Sequence, residues 1–131
     1  MGAKTHIVTH FDGSEGRLVT DSGATVDIGA AEDKLVAYEL LLGGLSHCLY
    51  STFESIGEKM QLKYGKVDLN VTGVKRDEKV ATLETCSVEI EATGVEDEAK
   101  FEKAFEIATR YCSIYNTISK VASMEWKVSF S

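Results

Sequence analysis

Between residues 34 and 60, Leu35, Leu41, Leu42, Leu45, Cys48, Leu49, Thr52, Phe53, Ile56 and Met60 recur at steps of three and four residues. That is the period of an α-helix, and the run is more than twice the usual length of about 11–12 residues. The apolar arc is also wide, so the sequence predicts one long helix over 34–60, largely buried. A chain of 131 residues can bury roughly two-thirds of its unfolded surface, which sets how much it can lay against such a helix. The arc is too wide for one sheet from so short a chain, which points to a second copy covering the rest. Gly43 and Gly44 interrupt the run. Each costs about 1 kcal/mol relative to alanine in a helix, so close packing or a bend is expected there.

The flanking segments read mostly as strands. Residues 3–11, 17–20 and 24–28 are short extended runs, separated by the turn residues Asp12–Gly16 and Asp21–Gly23, which together predict an antiparallel meander. After the long helix, 66–75 alternates with Val67, Leu69 and Val71 on one face. The run 80–93 alternates with Cys86, Val88, Ile90 and Ala92, and Asp77 and Glu78 lie in the turn between the two. Residues 98–111 are amphipathic, with Phe101, Ala104, Phe105 and Ala108 on the apolar face. A break at Cys112–Ser113 precedes a short helix through Val121, and Met124, Trp126, Val128 and Phe130 alternate in a final strand. The order β-β-β-α-β-β-α-α-β favours an α+β fold over a doubly wound parallel sheet. With no repeat, no linker and no proline, residues 1–131 read as a single domain.

The net charge of −7 repels phosphate backbones and no Lys/Arg cluster offsets it, which argues against nucleic acid as a partner. No run approaches the ~18 apolar residues of a membrane span, and MGAKTHIVTHF lacks the apolar core of a signal peptide. MGAK has His6 where a myristoylation motif requires Ser or Thr. The expectation is a cytoplasmic protein.

Three cysteines carry the chemistry to be explained: Cys48, Cys86 and Cys112. None is part of a CxxC pair, which excludes the usual zinc-ribbon and thioredoxin spacings. Cys86 shares its apolar strand face with Val88 and Ile90 and reads as core. Cys48 sits in the apolar run ELLLGGLSHCLYSTF. Cys112 sits at the junction of two helices, near a helix N-terminus where the backbone dipole favours a thiolate. Read from the residues alone, an inert buried thiol and a redox thiol both remain open for Cys48. His47 adjoins Cys48 but points about 100° away on a helix, and reads as a solvated or hydrogen-bonded side chain. His6 and His10 share a strand face without a third ligand, so no metal is expected, nor any cofactor.

Glu39-Leu40-Leu41-Leu42 leading to Cys48, and Tyr111-Cys112-Ser113-Ile114 followed by Thr117 and Ile118, resemble two segments of the OsmC/Ohr family. Those segments have the forms E-L-L-L-x-x-L-x-x-C and Y-C-P-V-x-x-T-L. The 64-residue separation of the two cysteines and the order of elements are also similar, so the resemblance spans essentially the whole chain. It implies antiparallel strands packed on a long central helix in an intertwined homodimer. It also implies thiol-dependent reduction of organic hydroperoxides, with Cys48 oxidised to a sulfenic acid and Cys112 condensing with it, a step on the known oxidation ladder of cysteine. Leu45, Leu49 and Phe53 would offer an apolar pocket for the alkyl tail, and a dithiol would regenerate the enzyme. Peroxidase members use an Arg–Glu pair to activate the thiol. Here the candidates are Arg17 and Glu39, with Tyr38 at the usual glutamate position and Ser113 in place of the proline. On a straight helix the nine residues from Glu39 to Cys48 turn about 900°, which faces Glu39 away. Arg17 has Asp12, Glu15 and Asp21 as surface partners, or a place near the thiol. The alternative is a non-enzymatic dimer of the same fold that binds a small apolar ligand or senses redox state.

Overall fold

The computed structural model describes residues 2–131. The elements follow the expected order: β1(Ile7–Asp12), β2(Glu15–Thr20), β3(Thr25–Ile28), α1(Ala37–Lys59), β4(Val67–Lys75), β5(Leu83–Ala92), α2(Glu98–Tyr111), α3(Ser113–Ser119) and β6(Ser123–Phe130). They form two compact units, the first ending at Leu41 and the second running from Leu42 to Ser131. Among the described residues no helix is long and apolar enough to cross a membrane.

The first unit is the antiparallel meander β1-β2-β3. Its two hairpin turns place Gly13 at φ 64° and Gly23 at φ 95°, backbone that glycine adopts without a Cβ penalty. Phe11 lies over Gly16, its register partner on β2, and a Cβ there would meet the ring at 2.6 Å. The sequence pattern puts the helix start at residue 34, and the structure moves it to Ala37. The intervening chain turns back on β3 instead: Leu35 bridges Ile28, the Gly29 N–H donates to the Leu35 carbonyl, and Lys34 ion-pairs with Glu15. Two hydrogen bonds then open the helix. The Leu40 N–H donates to the Val36 carbonyl, and the Val36 N–H donates to the Glu39 carboxylate at 2.9 Å, one half of a capping box.

The second unit carries the core. Its sheet has the order β4-β5-β6, so β5 is central and buries Cys86, Val88, Ile90 and Ala92, each at most 1% exposed. β4 pairs antiparallel with β5, whereas β6 pairs parallel, because α2 and α3 carry the chain back across the sheet before it enters β6. The strand expected from residue 80 begins at Leu83. Residues 76–82 form a connection held by Arg76, which donates to the Thr82 hydroxyl, the Leu83 carbonyl and, at 3.1 Å, the Val121 carbonyl.

A single chain buries one ridge of the long helix. Within α1 only Leu45, Leu49, Phe53 and Gly57 are buried, a single ridge at four-residue steps. Phe53 stacks on Phe105 of α2 with ring centroids 4.0 Å apart and packs on Phe101 at 4.7 Å. Leu45, Leu49 and Phe53 are all 0% exposed, so they form the core of the unit and do not line an open pocket. The helix ends where Gln61 takes φ 57° and the Leu62 N–H reaches back to the Gly57 carbonyl at 2.8 Å, the Schellman arrangement.

Candidate functional site

Packing of α1 on α2 determines where the two thiols meet. From the Phe53–Phe105 stack, Cys48 lies five residues back along α1 and Cys112 seven residues forward on α2, about 7.5 and 10 Å of helix. The two helices run antiparallel here, so both steps lead to the same end. There Cys112 Sγ stands 3.0 Å from Cys48 Sγ and donates to it. Cys48 is half-buried beside the Leu45–Leu49 ridge, whereas Cys112 is fully buried.

Cys112 is at once the C-cap of α2 and the N-cap of α3, with φ −70° and ψ 115°. Its N–H closes the last turn of α2 on the Ala108 carbonyl at 2.8 Å. Its sulfur accepts from the Tyr115 N–H at 3.4 Å and so caps α3 as a hydroxyl or carboxylate would. Asn116 secures the junction. Its side-chain amide lies 3.1, 3.2 and 2.8 Å from the carbonyls of Thr109, Arg110 and Cys112, the first two of which the end of α2 leaves without helical partners. Ser113, the first residue of α3, places its hydroxyl 3.9 Å from Cys48 Sγ.

The electrostatics differ between the two sulfurs, and in the opposite sense from the sequence expectation that Cys112 is the thiol favoured as an anion. Burial raises Cys112 first of all, and the hydrogen bond it donates to Cys48 holds its proton further, pushing it up to about 11. For Cys48 burial also works against ionisation. It is outweighed by hydrogen bonds from the Cys112 thiol, the Ile114 N–H, the Ser113 hydroxyl and the Ser113 N–H, and the thiol ends below its ordinary range. The start of α3 thus serves both sulfurs, and it is Cys48 that gains an anion's environment. Cys86 is simply raised by burial on its strand face.

The other residues singled out by sequence have partners of their own. Arg17 pairs across β2 and β3 with Asp27 at 2.9 Å, its register partner, and not with Asp12, Glu15 or Asp21. Glu39 caps the start of α1 through the Val36 N–H. His6 bonds Asp21 at 2.8 Å, and no group of three or more His, Cys, Asp or Glu among the described residues is placed to hold a metal. A surface depression lined by Ser87, Val88, Glu89, Glu125, Trp126 and Lys127 contains no thiol and lies apart from this chemistry. Asn116 was not marked by the sequence pattern, and Ser113 was noted only at the helix break and in place of the proline. The signal for both is their position in the first turn after that break, where side chains and free N–H groups face the preceding element.

A thiol pair joining the long helix to the α2–α3 junction is the proximity that the resemblance implied, and residues 30–127 match the family model described as OsmC-like protein. The chain belongs to the OsmC-like family. No curated protein sequence matches it. Solved structures with the same fold include an OsmC-like protein from Mycoplasma pneumoniae, at 18% identity and TM-score 0.88, covering 99% of each chain. An organic hydroperoxide resistance protein from Elizabethkingia anophelis is 19% identical with TM-score 0.76 over 100% of each chain. A third, described as an organic hydroperoxide resistance protein and predicted redox protein from Legionella pneumophila, is 16% identical with TM-score 0.72 over 97% of each chain. At such identities the likeness to OsmC-like structures is one of fold.

Proposed function

We propose that this OsmC-like chain is a thiol-dependent peroxidase for organic hydroperoxides, with Cys48 as the attacking thiol and Cys112 as the resolving one. The observation that carries the reading is the 3.0 Å approach of two sulfurs with opposite protonation preferences. The Cys48 thiolate attacks the O–O bond, gives a Cys48 sulfenic acid and releases an alkoxide that takes a proton from water to leave as the alcohol. The Cys112 thiol then condenses with the sulfenic acid, forming the Cys48–Cys112 disulfide and water. A dithiol reduces that disulfide, restoring both thiols as it becomes a disulfide itself. The organic substrate class is supported by the likeness to proteins named for organic hydroperoxide resistance. Residues 1–131 act as one OsmC-like domain in a cytoplasmic homodimer, which would cover the apolar side chains exposed on the meander, Ile7, Val8 and Phe11.

The engagement of Arg17 with Asp27 and of Glu39 with Val36 favours the second reading, a redox sensor or binding protein whose thiols are oxidised without turnover. Consumption of cumene hydroperoxide in the presence of a dithiol separates the two. Cys48→Ser abolishes turnover, whereas Cys112→Ser accumulates sulfenic acid on Cys48, read by mass spectrometry after one equivalent of hydroperoxide. Sulfenic acid on Cys112 in the Cys48→Ser protein reverses the roles. Oxidation no faster than that of a free thiol in either variant leaves the binding-protein reading.

A further inference from the structure

We propose that Ser113 is the positioning residue that holds Cys48 as a thiolate, through a hydroxyl 3.9 Å from Cys48 Sγ. The inference rests on Cys48 being the reactive thiol and supplies what activates it. The first turn of α3 has N–H groups without helical acceptors. The Tyr115 N–H donates to the Cys112 sulfur at 3.4 Å, whereas the N–H of Ser113 favours the anion of Cys48 and that of Ile114 favours the anion of either sulfur. The Ser113 hydroxyl stands 3.9 Å from Cys48 Sγ, and Ser113 favours the Cys48 anion through its side chain and its backbone alike. Hydrogen bonds to the charged form of a group favour that form, and the contributions lowering Cys48 are all of this kind. Arg17 and Glu39, the charged candidates, are held by Asp27 and by the Val36 N–H.

The residue type matters because Ser113 is the first residue of its helix, and proline is the one residue that could take that place without an N–H to donate. Cys112 before it is extended, at φ −70° and ψ 115°, which is the backbone a following proline requires. Ser113→Pro therefore removes both donors while keeping the geometry of the junction. Ser113→Ala removes the hydroxyl alone, and Ser113→Thr keeps both donors.

The test is the pH dependence of iodoacetamide alkylation at Cys48, followed on the Cys48 peptide by mass spectrometry in the full chain with melting curves as a folding control. The midpoint moves to higher pH in Ser113→Ala and further in Ser113→Pro. At neutral pH the rate falls several-fold, then further, and Ser113→Thr restores the parent profile. An unchanged midpoint in the alanine variant and, where it folds, the proline variant overturns the proposal. If the proline variant fails to fold, the alanine and threonine pair decides alone. No peroxide enters this assay, so an absence of hydroperoxide turnover counts against the peroxidase reading without touching the role of Ser113.

Discussion

Oxidation of the Cys48–Cys112 pair is expected to stabilise the fold by an amount that the chain length between the thiols determines. The sulfurs are 3.0 Å apart as thiols and close to about 2.05 Å as a disulfide, an approach of roughly 1 Å that side-chain rotation can absorb. The bridge ties residues 64 positions apart, and the chain-entropy relation for a loop of that size gives about 4 kcal/mol of stabilisation at 25 °C. For a chain of 131 residues the unfolding entropy is about 0.28 kcal/mol/K, so the full effect raises Tm by roughly 15 °C and half of it by roughly 7 °C. The assay is a pair of melting curves by circular dichroism at one protein concentration, one sample reduced with a dithiol and one oxidised with diamide. Intact mass must show the loss of two hydrogens in the oxidised sample. Cys86→Ser should show the same difference between the two samples, whereas Cys48→Ser and Cys112→Ser should show none. A disulfide confirmed by mass with no rise in Tm, or with a fall, would refute the reasoning. Native strain would then outweigh the restriction of the unfolded chain.

Phe53→Ala, which empties the stack on Phe105 and Phe101, should cost about 3–5 kcal/mol in urea unfolding; a loss below 1 kcal/mol would show that the helices collapse onto the gap. Stability should fall as pH rises from about 9 through 11, because burial raises Cys112 to about 11 and also raises Cys86, Tyr64 and Tyr115, so the unfolded chain loses these protons first. Each group that titrates only in the unfolded chain contributes a slope of about 1.4 kcal/mol per pH unit. The contribution is complete below the unfolded pKa, and urea titrations that are flat over this range would contradict it. Light scattering at micromolar concentration should report twice the chain's mass, with Phe11→Ser on the meander weakening the association; a monomer would contradict the homodimer.

What the sequence determined is what short-range periodicity can encode. The alternation of Cys86, Val88, Ile90 and Ala92 marks the inner face of the central strand, and the spacing of Phe101, Phe105 and Ala108 marks the buried face of α2; both faces are buried as read. The element order was also legible, and the resemblance of the segments around Cys48 and Cys112 implied the proximity of their sulfurs. The tertiary structure decided the rest. The start of α1 at Ala37 follows from the bridge between Leu35 and Ile28, a contact of the returning chain that helical period cannot encode. The parallel pairing of β5 with β6 is a property of the crossover and is absent from either strand's own pattern. The approach of thiols 64 residues apart is set by the antiparallel packing of α1 on α2. Which of them becomes the anion could not be read from composition, because acidity depends on donors that arrive through space. Cys112 lies at the helix start yet is raised, since it is buried and donates to Cys48, and Cys48, from the middle of an apolar run, is lowered by hydrogen bonds from Cys112, Ile114 and Ser113.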